Sequence, residues 1–346
     1  MKKFALIILF LTCAVTMKAQ QDDGLESILY ANIQDANKLT QAYLNPGMKG
    51  LIYGMNSGWY HTAQAHKTFG FDFSFGLNAS MVPSKDELFK FADLGLSSTT
   101  TANFAASPTV AGTNNTAAQA TVKATAVIEG QTVSKEFKMS GGVKEDLPLN
   151  AVPTPSVQFT LGLPKQFDVM VRLVPEVGSD DVKGNLFGIG LKKEITSLFG
   201  PIEKLPLHIS LLGAYTNMDV NYNIQNDSSI PGANQVATFN LSSYTVQAIA
   251  SINFPIINFY GGIGYGAGTS DLKMLGTYVL EYETGQPFPY DTVEKTVTDP
   301  INLDFDASGV RATVGTRLSL GFFKIFADYN IQEYNTLSAG IAFSFR

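Results

Sequence analysis

The last eleven residues of the chain, Thr336 to Arg346, alternate between apolar side chains and small or polar ones. Successive side chains of a β-strand point to opposite faces, so this alternation predicts a strand with one apolar face. A tilted strand of about 9–11 residues is long enough to cross a bilayer. We therefore interpret this stretch as the closing strand of an antiparallel transmembrane β-barrel. Its apolar positions are Leu337, Ala339, Ile341, Phe343 and Phe345.

Nine further segments are predicted as strands, although the longest of them, Leu207–Tyr222, has mixed faces. With the closing strand they predict an all-β fold with ten strong strands, and an even number is usual for single-chain bacterial barrels. The other eight are Phe69–Met81, Val157–Leu163, Phe167–Leu173, Phe187–Leu191, Ser243–Phe254, Ile257–Ala267, Val310–Leu320 and Lys324–Gln332.

Counting strands backward from a periplasmic C-terminus sorts the connections by length. Short turns fall on the periplasmic side and long loops fall outside, as in known bacterial barrels. The short turns are Pro164–Gln166, Phe254–Ile256 and Gly321–Phe323; the long loops are Pro83–Pro153, Asn223–Thr238 and Thr269–Ser308. One periplasmic connection is longer, and apolar residues at helical spacing between Lys193 and Pro206 predict a short amphipathic helix there.

The long outer loop, residues 83–153, contains patterns of its own. Ser97–Gln119 is rich in Thr, Ala, Ser and Asn, which predicts poor order. Thr121–Glu129 and Gln131–Met139 alternate around Gly130, which predicts a hairpin. Leu275–Glu283, in another outer loop, is also extended. If these segments joined the wall, the barrel would have 12 or 14 strands.

Residues 1–19 have the features of a cleaved secretory signal, with Lys2 and Lys3 before an apolar run. Cys13 could instead be a lipidation site, but Leu11 and Thr12 before it are larger than the residues that lipoprotein signals use. After cleavage the chain contains no cysteine, and hence no disulfide. Export and a barrel pattern together predict the outer membrane of a Gram-negative bacterium, with its lipid as the first partner.

Residues 20–68 are predicted as a helix and plug ahead of the barrel at residues 69–346. Apolar positions in Leu25–Tyr43 repeat at helical spacing, and Asn45-Pro46-Gly47 is predicted to end the helix. The candidate plug residues are Asn45, Pro46, Asn56, Trp59 and Tyr60.

The two arginines of Val310–Leu320 indicate which face of the wall meets lipid. Arg311 and Arg317 share a face, and an arginine facing lipid at the midplane costs roughly 2–4 kcal/mol. That face must therefore line the lumen. Two interpretations stay open: the inward charges satisfy one another, or they contact a substrate. The candidate lumen-facing residues are Asp72, Asp168, Arg311, Arg317 and Asp328.

Gly262, Gly264 and Gly266 share an inward face. They could allow the N-terminal segment or a ligand to approach the wall closely, or they could simply mark a bend of the barrel. The sequence does not decide between these interpretations.

No catalytic, metal or cofactor site is predicted. His61 and His66 lie five residues apart without a cysteine, and His208 has no serine paired with it in the sequence. Nucleophile-elbow and phosphate-loop motifs are missing as well. A net charge of −6 gives no basic face for nucleic acid. We therefore do not expect an enzyme.

The N-terminal quarter resembles an uncharacterised outer-membrane barrel family of Bacteroidota, a domain of unknown function. The motifs are Asp35-Ala36-Asn37-Lys38-Leu39, Ala42-Tyr43-Leu44-Asn45-Pro46, Asn56-Ser57-Gly58-Trp59-Tyr60-His61-Thr62-Ala63, His66-Lys67 and Gly70-Phe71-Asp72. More distantly, a helix leading to Asn45-Pro46 is similar to the hatch of FadL-type transporters and related secretion barrels. That likeness implies fourteen strands, a plug and a lateral route for hydrophobic compounds.

Three functions are consistent with these observations. The first is a plugged outer-membrane barrel that binds or passes a hydrophobic small molecule. The second is a structural or interaction barrel at the cell surface, associated with secretion and without transport, although the sequence specifies no protein partner. The third, the weakest, is a secreted soluble β-sandwich whose phenylalanines form a core.

Overall fold

A computed structural model describes residues 25–179, 181–224, 230–286 and 291–345. The predicted signal sequence and Arg346 lie outside these residues. Within them, one long α-helix, α1 (Ile33–Met55), precedes sixteen strands. The strands are β1 (Phe71–Met81), β2 (Leu88–Lys90), β3 (Thr100–Ala102), β4 (Ala106–Pro108), β5 (Thr121–Ile128), β6 (Gln131–Lys138), β7 (Ala151–Leu163), β8 (Phe167–Gly178), β9 (Val182–Glu194), β10 (Leu207–Asn223), β11 (Gly232–Asn253), β12 (Ile257–Glu283), β13 (Thr292–Thr298), β14 (Ile301–Leu320), β15 (Phe323–Ile331) and β16 (Thr336–Phe345). Short 3₁₀ helices cover Leu25–Tyr30, Ser84–Asp86, Phe91–Leu94, Thr116–Ala118, Pro148–Asn150 and Thr196–Lys204.

Ten of these strands close into a ring. The order is β1-β7-β8-β9-β10-β11-β12-β14-β15-β16, and β16 returns to β1 with Phe71 opposite Phe345. Every neighbouring pair in the ring is antiparallel. The prediction of an antiparallel barrel with ten strong strands is therefore confirmed.

The extra extended segments do not join the ring, so the larger count of 12 or 14 strands is wrong. The predicted hairpin forms as β5 and β6, but it pairs with β3 in a separate three-stranded sheet. The segment Leu275–Glu283 is the far end of β12, where it pairs with β13 beyond the ring.

The connections differ sharply between the two ends of the barrel. At the end that we call the turn end, short turns join β7 to β8, β11 to β12 and β14 to β15. At the opposite end, the loop end, the chain between β1 and β7 and the chain between β12 and β14 are long. The predicted helix after β9 is a 3₁₀ segment, Thr196–Lys204, which is interrupted by non-helical backbone at Phe199 and Gly200.

The outer face of the ring is apolar and its inner face is polar. In β1, Phe73 is 38% exposed while Asp72 is 1% exposed; in β14, Val310 is 78% exposed while Arg311 is 4% exposed. A protein in water does not expose a continuous apolar belt of this kind, whereas a membrane barrel requires one. The interpretation as a soluble β-sandwich is therefore wrong. No helix in the described ranges is long and apolar enough to span a bilayer.

Helix α1 runs through Asn45-Pro46-Gly47, so the predicted helix end there is wrong. Asn32 caps the helix: its side chain accepts a hydrogen bond from the Asp35 N–H at 3.0 Å and donates one to the Asp35 carboxylate at 2.7 Å. A proline inside a helix costs about 3 kcal/mol because one hydrogen bond is lost. Here the Val110 N–H, from the long connection between β1 and β7, donates to the Tyr43 carbonyl at 2.9 Å, so tertiary contacts beside the proline offset that cost.

Contacts with β14 show the direction of α1. Asn37 Nδ2 donates to the Pro300 carbonyl oxygen at 2.9 Å, Gln41 to Asp304 at 3.0 Å, and Tyr53 to Ser308 at 3.3 Å. Because β14 runs from the loop end to the turn end, α1 runs the same way. The helix therefore begins at the loop end and descends into the lumen.

Strands β2–β6, the far parts of β12 and β13, and the first half of α1 form a folded unit that we call the cap. Its buried apolar core includes Leu39, Val122, Phe137, Leu280 and Tyr282. The cap packs around the beginning of α1, so the loop end of the barrel is covered by folded chain.

The low-complexity segment Ser97–Gln119 belongs to this cap, and the prediction that it is poorly ordered is wrong. It contains β3, β4 and a 3₁₀ turn. Its small polar side chains are tied into the fold: the Ser107 hydroxyl accepts a hydrogen bond from the Ala120 N–H at 3.2 Å, and the Thr109 hydroxyl donates to the Asp86 carbonyl at 2.7 Å. Composition alone does not reveal these tertiary hydrogen bonds.

Candidate functional site

The second half of helix α1 and residues 56–68, which together we call the plug, occupy the lumen. Gly54 lies against Thr154 of β7, and Asn56 Nδ2 donates to the Ala267 carbonyl of β12 at 3.2 Å. Strands β7 and β12 are five positions apart in a ring of ten, so they face each other. The plug therefore fills the lumen from one wall to the other.

Two arginines of the wall hold the end of α1. Arg172 on β8 donates to the Met55 carbonyl oxygen at 3.1 Å and to the Ser57 carbonyl oxygen at 3.0 Å. Arg311 on β14 donates to the Asn56 carbonyl oxygen at 2.6 Å and to the Ser57 hydroxyl at 3.0 Å. The last carbonyls of a helix lack partners within it and carry the negative end of its dipole. The two guanidinium groups therefore complete the helix end electrostatically and by hydrogen bonding.

Trp59 anchors the segment that follows the helix. The Arg172 guanidinium lies 3.8 Å from the centre of its ring, a cation–π contact. On the neighbouring strand β9, Gly188 and Gly190 leave room for the ring, since a Cβ at either position would lie 3.1 Å from the indole. Gln158 Nε2 donates to the Trp59 carbonyl at 3.2 Å. Trp59 is only 1% exposed, so the tryptophan is fully enclosed in the lumen.

The glycine row of β12 lies partly against this plug. A Cβ at Gly262 would lie 2.6 Å from the Tyr60 hydroxyl, and one at Gly266 would lie 3.2 Å from the Asn56 side chain. A Cβ at Gly264 would instead meet the Val246 carbonyl oxygen of the neighbouring strand. The sequence left two interpretations open. Close approach of the N-terminal segment to the wall is the one that accounts for Gly262 and Gly266.

Near the turn end, buried charges fasten the last part of the plug. His66 lies between two carboxylates, with Nε2 3.2 Å from Asp72 and Nδ1 3.1 Å from Asp168. Lys192 lies 2.9 Å from Asp168 and donates to the Gln64 carbonyl at 3.0 Å. Each of these contacts joins the plug to a strand of the wall or one strand to the next.

His61 continues this network on the other side. Its Nε2 lies 3.2 Å from Asp72, and Arg317 on β14 donates to its Nδ1 from 3.0 Å. The remaining acid, Asp328, accepts a hydrogen bond from the Tyr260 hydroxyl at 3.0 Å. A cavity of about 10 Å³ remains beside Trp59, His66 and Asp72, which is room for about one water molecule.

Contacts at the loop end hold helix α1. Burial raises the pKa of Asp35, but hydrogen bonds donated by Ser97 and its neighbours outweigh burial and hold that pKa below its usual value. Burial likewise raises the pKa of Glu333, yet the Tyr53 hydroxyl at 2.9 Å and the Lys49 ammonium at 3.2 Å lower it overall. The charged form of Asp35 is therefore stabilised by the cap and by Asn32, and that of Glu333 by side chains of α1.

The candidate residues from the sequence fall into two groups. Asn45 and Pro46 lie near the middle of α1, away from the charged network. Asn56, Trp59 and Tyr60 lie in the lumen with the wall charges. Those charges, all buried or nearly so, are Asp72, Asp168, Arg311, Arg317 and Asp328.

Sequence reasoning overlooked four members of this site: Arg172, Lys192, His61 and His66. Arg172 lies between Val171 and Leu173, and it has the same alternation signal that assigned Arg311 to the lumen. No comparable signal exists for the histidines, because the plug has no regular period after Met55. Their carboxylate partners lie far away in the sequence and meet them only in the fold.

The described residues contain no group of three or more His, Cys, Asp or Glu side chains arranged to hold a metal ion. His208 pairs with Glu194, with 2.7 Å between Nδ1 and Oε1. This pair joins the neighbouring wall strands β9 and β10.

A family model described as "Family of unknown function (DUF6588)" matches residues 1–345. The chain belongs to the DUF6588 family. The resemblance to a family of unknown function, seen in the N-terminal motifs, is confirmed at that level. A comparison with curated proteins gives no match for this DUF6588 protein.

Solved structures that resemble the DUF6588 protein include several barrels. The translocator domain of the autotransporter NalP from Neisseria meningitidis is 10% identical, with a TM-score of 0.31 over 92% of this chain and 99% of that chain. Ail, the attachment invasion locus protein of Yersinia pestis, is 8% identical, with a TM-score of 0.27 over 81% of this chain and 100% of that chain. The toluene transporter TodX of Pseudomonas putida is 9% identical, with a TM-score of 0.14 over 86% of this chain and 97% of that chain. TM-scores this low do not bear on the function of the DUF6588 protein.

Proposed function

We propose that this DUF6588 protein is a closed outer-membrane β-barrel that anchors its folded cap at the cell surface. The observation that carries the proposal is the double attachment of the helix end to Arg172 and Arg311. A lumen that is open to solutes has no need of a buried helix fixed by two arginines on different strands. In a closed barrel, water is excluded from the lumen. The polar groups of the inner wall then need hydrogen-bond partners, and a buried helix end can supply them.

Two features support the membrane location. A closed ring has no unpaired strand edge, so every backbone group of the wall can be satisfied in hydrocarbon. The exposed apolar face then meets lipid, which is the partner expected from the sequence. The predicted signal at residues 1–19 supplies the export that such a location requires.

The inward charges favour the structural interpretation over direct substrate contact. Asp168 is paired with Lys192 and His66, and Arg311 is occupied by Asn56, Ser57 and Asn330. A substrate would have to displace the plug before it could reach them. Passage of a hydrophobic molecule therefore remains a prediction that requires withdrawal of the plug.

Uptake into proteoliposomes tests the proposal against transport. The purified barrel is reconstituted and supplied with a labelled fatty acid or an aromatic hydrocarbon, with empty vesicles as the control. The closed anchor predicts equal uptake in both, whereas faster uptake with the protein would support gated transport and contradict the proposal.

A second experiment addresses the anchor role directly. Crosslinking on intact cells, followed by purification of the barrel, should return a reproducible protein partner bound through the cap. Recovery of the barrel without a partner from both intact cells and isolated membranes would contradict a role in binding other proteins.

A further inference from the structure

A groove lies on the turn end between the β14–β15 turn and the last residues of β16. Its volume is about 410 Å³, and it is lined by Gly321, Phe322, Lys324, Ser344 and Phe345. The rings of Phe322 and Phe345 stack with centres 6.0 Å apart and planes at 17°. Phe322 is 58% exposed and Phe345 is 44% exposed, so the groove offers an apolar wall to its surroundings.

Lys324 supplies the positive charge in this groove. Its Nζ donates to the Gly321 carbonyl at 2.7 Å, which fixes the ammonium at the mouth of the turn. An ammonium group has three N–H donors, so it can also donate to an anionic ligand. A fixed cation beside exposed aromatic rings suits a molecule with both an anionic and an apolar part.

The described charges of the turn end as a whole are strongly biased. Lys67 and Lys165 are exposed at the turn end, and Lys193 is half-buried there. The carboxylates that the structure describes near this end are buried and face the lumen; Asp72, Asp168 and Glu194 are each at most 5% exposed. Among the side chains that the structure describes, the rim of the turn end thus presents cations outward and keeps these three anions inside.

We propose that this groove binds the headgroup of an anionic phospholipid in the leaflet at the turn end. Lys324 donates to the phosphate, and Phe322 and Phe345 contact the glycerol and the upper acyl chain. The exposed lysines of the rim add attraction for the negative surface of the leaflet. The proposal rests on the proposed function only in placing the barrel in a membrane, and not on whether the lumen is closed.

Native mass spectrometry of the intact protein in detergent, with added phosphatidylglycerol or phosphatidylcholine, tests this site. We expect the wild type to retain phosphatidylglycerol preferentially, and Lys324→Gln to bind it about fivefold more weakly. Lys183→Gln, an exposed lysine of β9 near the loop end, is the matched control and should bind as the wild type does. Phe322→Ala should also weaken binding, because the apolar wall is lost.

Several results would overturn the proposal. One is equal retention of the two lipids by the wild type. Another is an equal loss of phosphatidylglycerol binding in Lys324→Gln and Lys183→Gln. A third is displacement of the lipid by millimolar inorganic phosphate. Heat-modifiable migration on gels verifies that each variant is folded. Ion conductance of the same preparations separates the two proposals, since an open barrel that retains the lipid would contradict only the closed anchor.

Discussion

Arg172 Nη2 donates a hydrogen bond of 3.0 Å to the carbonyl oxygen of Ser57, 115 residues earlier in the chain. Through this bond a cation of the barrel wall holds the residue that follows the capped end of α1. The same guanidinium lies over the ring of Trp59, so helix end, aromatic anchor and wall form one unit. The closure of the lumen depends on this unit.

Replacing Arg172 with methionine should loosen the plug. The carbonyls of Met55 and Ser57 would lose their donor in a buried site, which we expect to lower the free energy of unfolding by about 2–3 kcal/mol. Trp59 is the single tryptophan of the chain, so its fluorescence reports directly on the plug. The emission should shift to the red, and the urea midpoint should fall.

The matched control for this change is Lys183→Gln, which alters an exposed cation of the neighbouring strand β9. It should leave both the emission and the midpoint unchanged. An Arg172→Met variant with wild-type emission and midpoint would show that the helix end is held by other contacts.

Replacing Gly54 with alanine should destabilise the barrel although alanine is the better helix former. The helix preference favours alanine by about 1 kcal/mol. However, the new Cβ would lie 2.3 Å from Thr154 Oγ1 and 2.7 Å from its Cγ2, which the packed lumen cannot relieve. We expect a net loss of about 1–3 kcal/mol in urea titrations.

Gly213→Ala is the control for Gly54→Ala, since a Cβ at Gly213 would have no atom within 4 Å. A double-mutant cycle with Thr154→Ala should recover part of the loss, because it removes the two closest atoms. Equal stability of the two single glycine variants would mean that α1 does not lie against β7.

The cap should lose stability in acid through Asp35. Its pKa lies below the usual value, so its contribution is complete above the unfolded pKa of about 3.9 and is lost as the pH falls through the folded pKa. Between pH 5 and pH 2, the melting temperature of the wild type should fall further than that of Asp35→Asn. Parallel curves for the two proteins would contradict this role of the Ser97 hydrogen bonds.

The direction of α1 predicts that an early residue lies on the same side as the long loops. Ile33 is exposed in the cap, whereas Lys165 is exposed in a turn at the other end. On intact cells, a membrane-impermeant maleimide should label Ile33→Cys and should label Lys165→Cys only after permeabilisation. The opposite labelling pattern would show that the turn end, and not the loop end, faces the outside of the cell.

The wall of the barrel could be predicted from the sequence because it depends on a local rule. Alternation places Phe73 outward and Asp72 inward whatever the distant partners are, and the cost of a lipid-facing arginine assigns Arg311 to the lumen. The same rule assigns Arg172 to the lumen, since Arg172 is part of the predicted strand Phe167–Leu173. Local patterns are therefore sufficient for the strands and for the facing of their side chains.

The plug and the cap could not be predicted in this way. A proline such as Pro46 often ends a helix, but tertiary contacts with distant residues such as Val110 accompany the continuation of α1 to Met55. Ser97–Gln119 has the composition of a disordered loop, but contacts such as Ser97 with Asp35 order it. Such features depend on contacts between distant parts of the chain, which one sequence does not display.

The central claim is that the plug closes the lumen, and ion conductance across planar lipid bilayers tests it most directly. Wild-type protein and the double variant Arg172→Met, Arg311→Met are reconstituted under identical conditions, and folding is verified by gel migration. We predict no stable conductance steps for the wild type and intermittent steps for the variant, whose helix end is no longer held. Stable open-channel steps from the folded wild-type protein would contradict the claim.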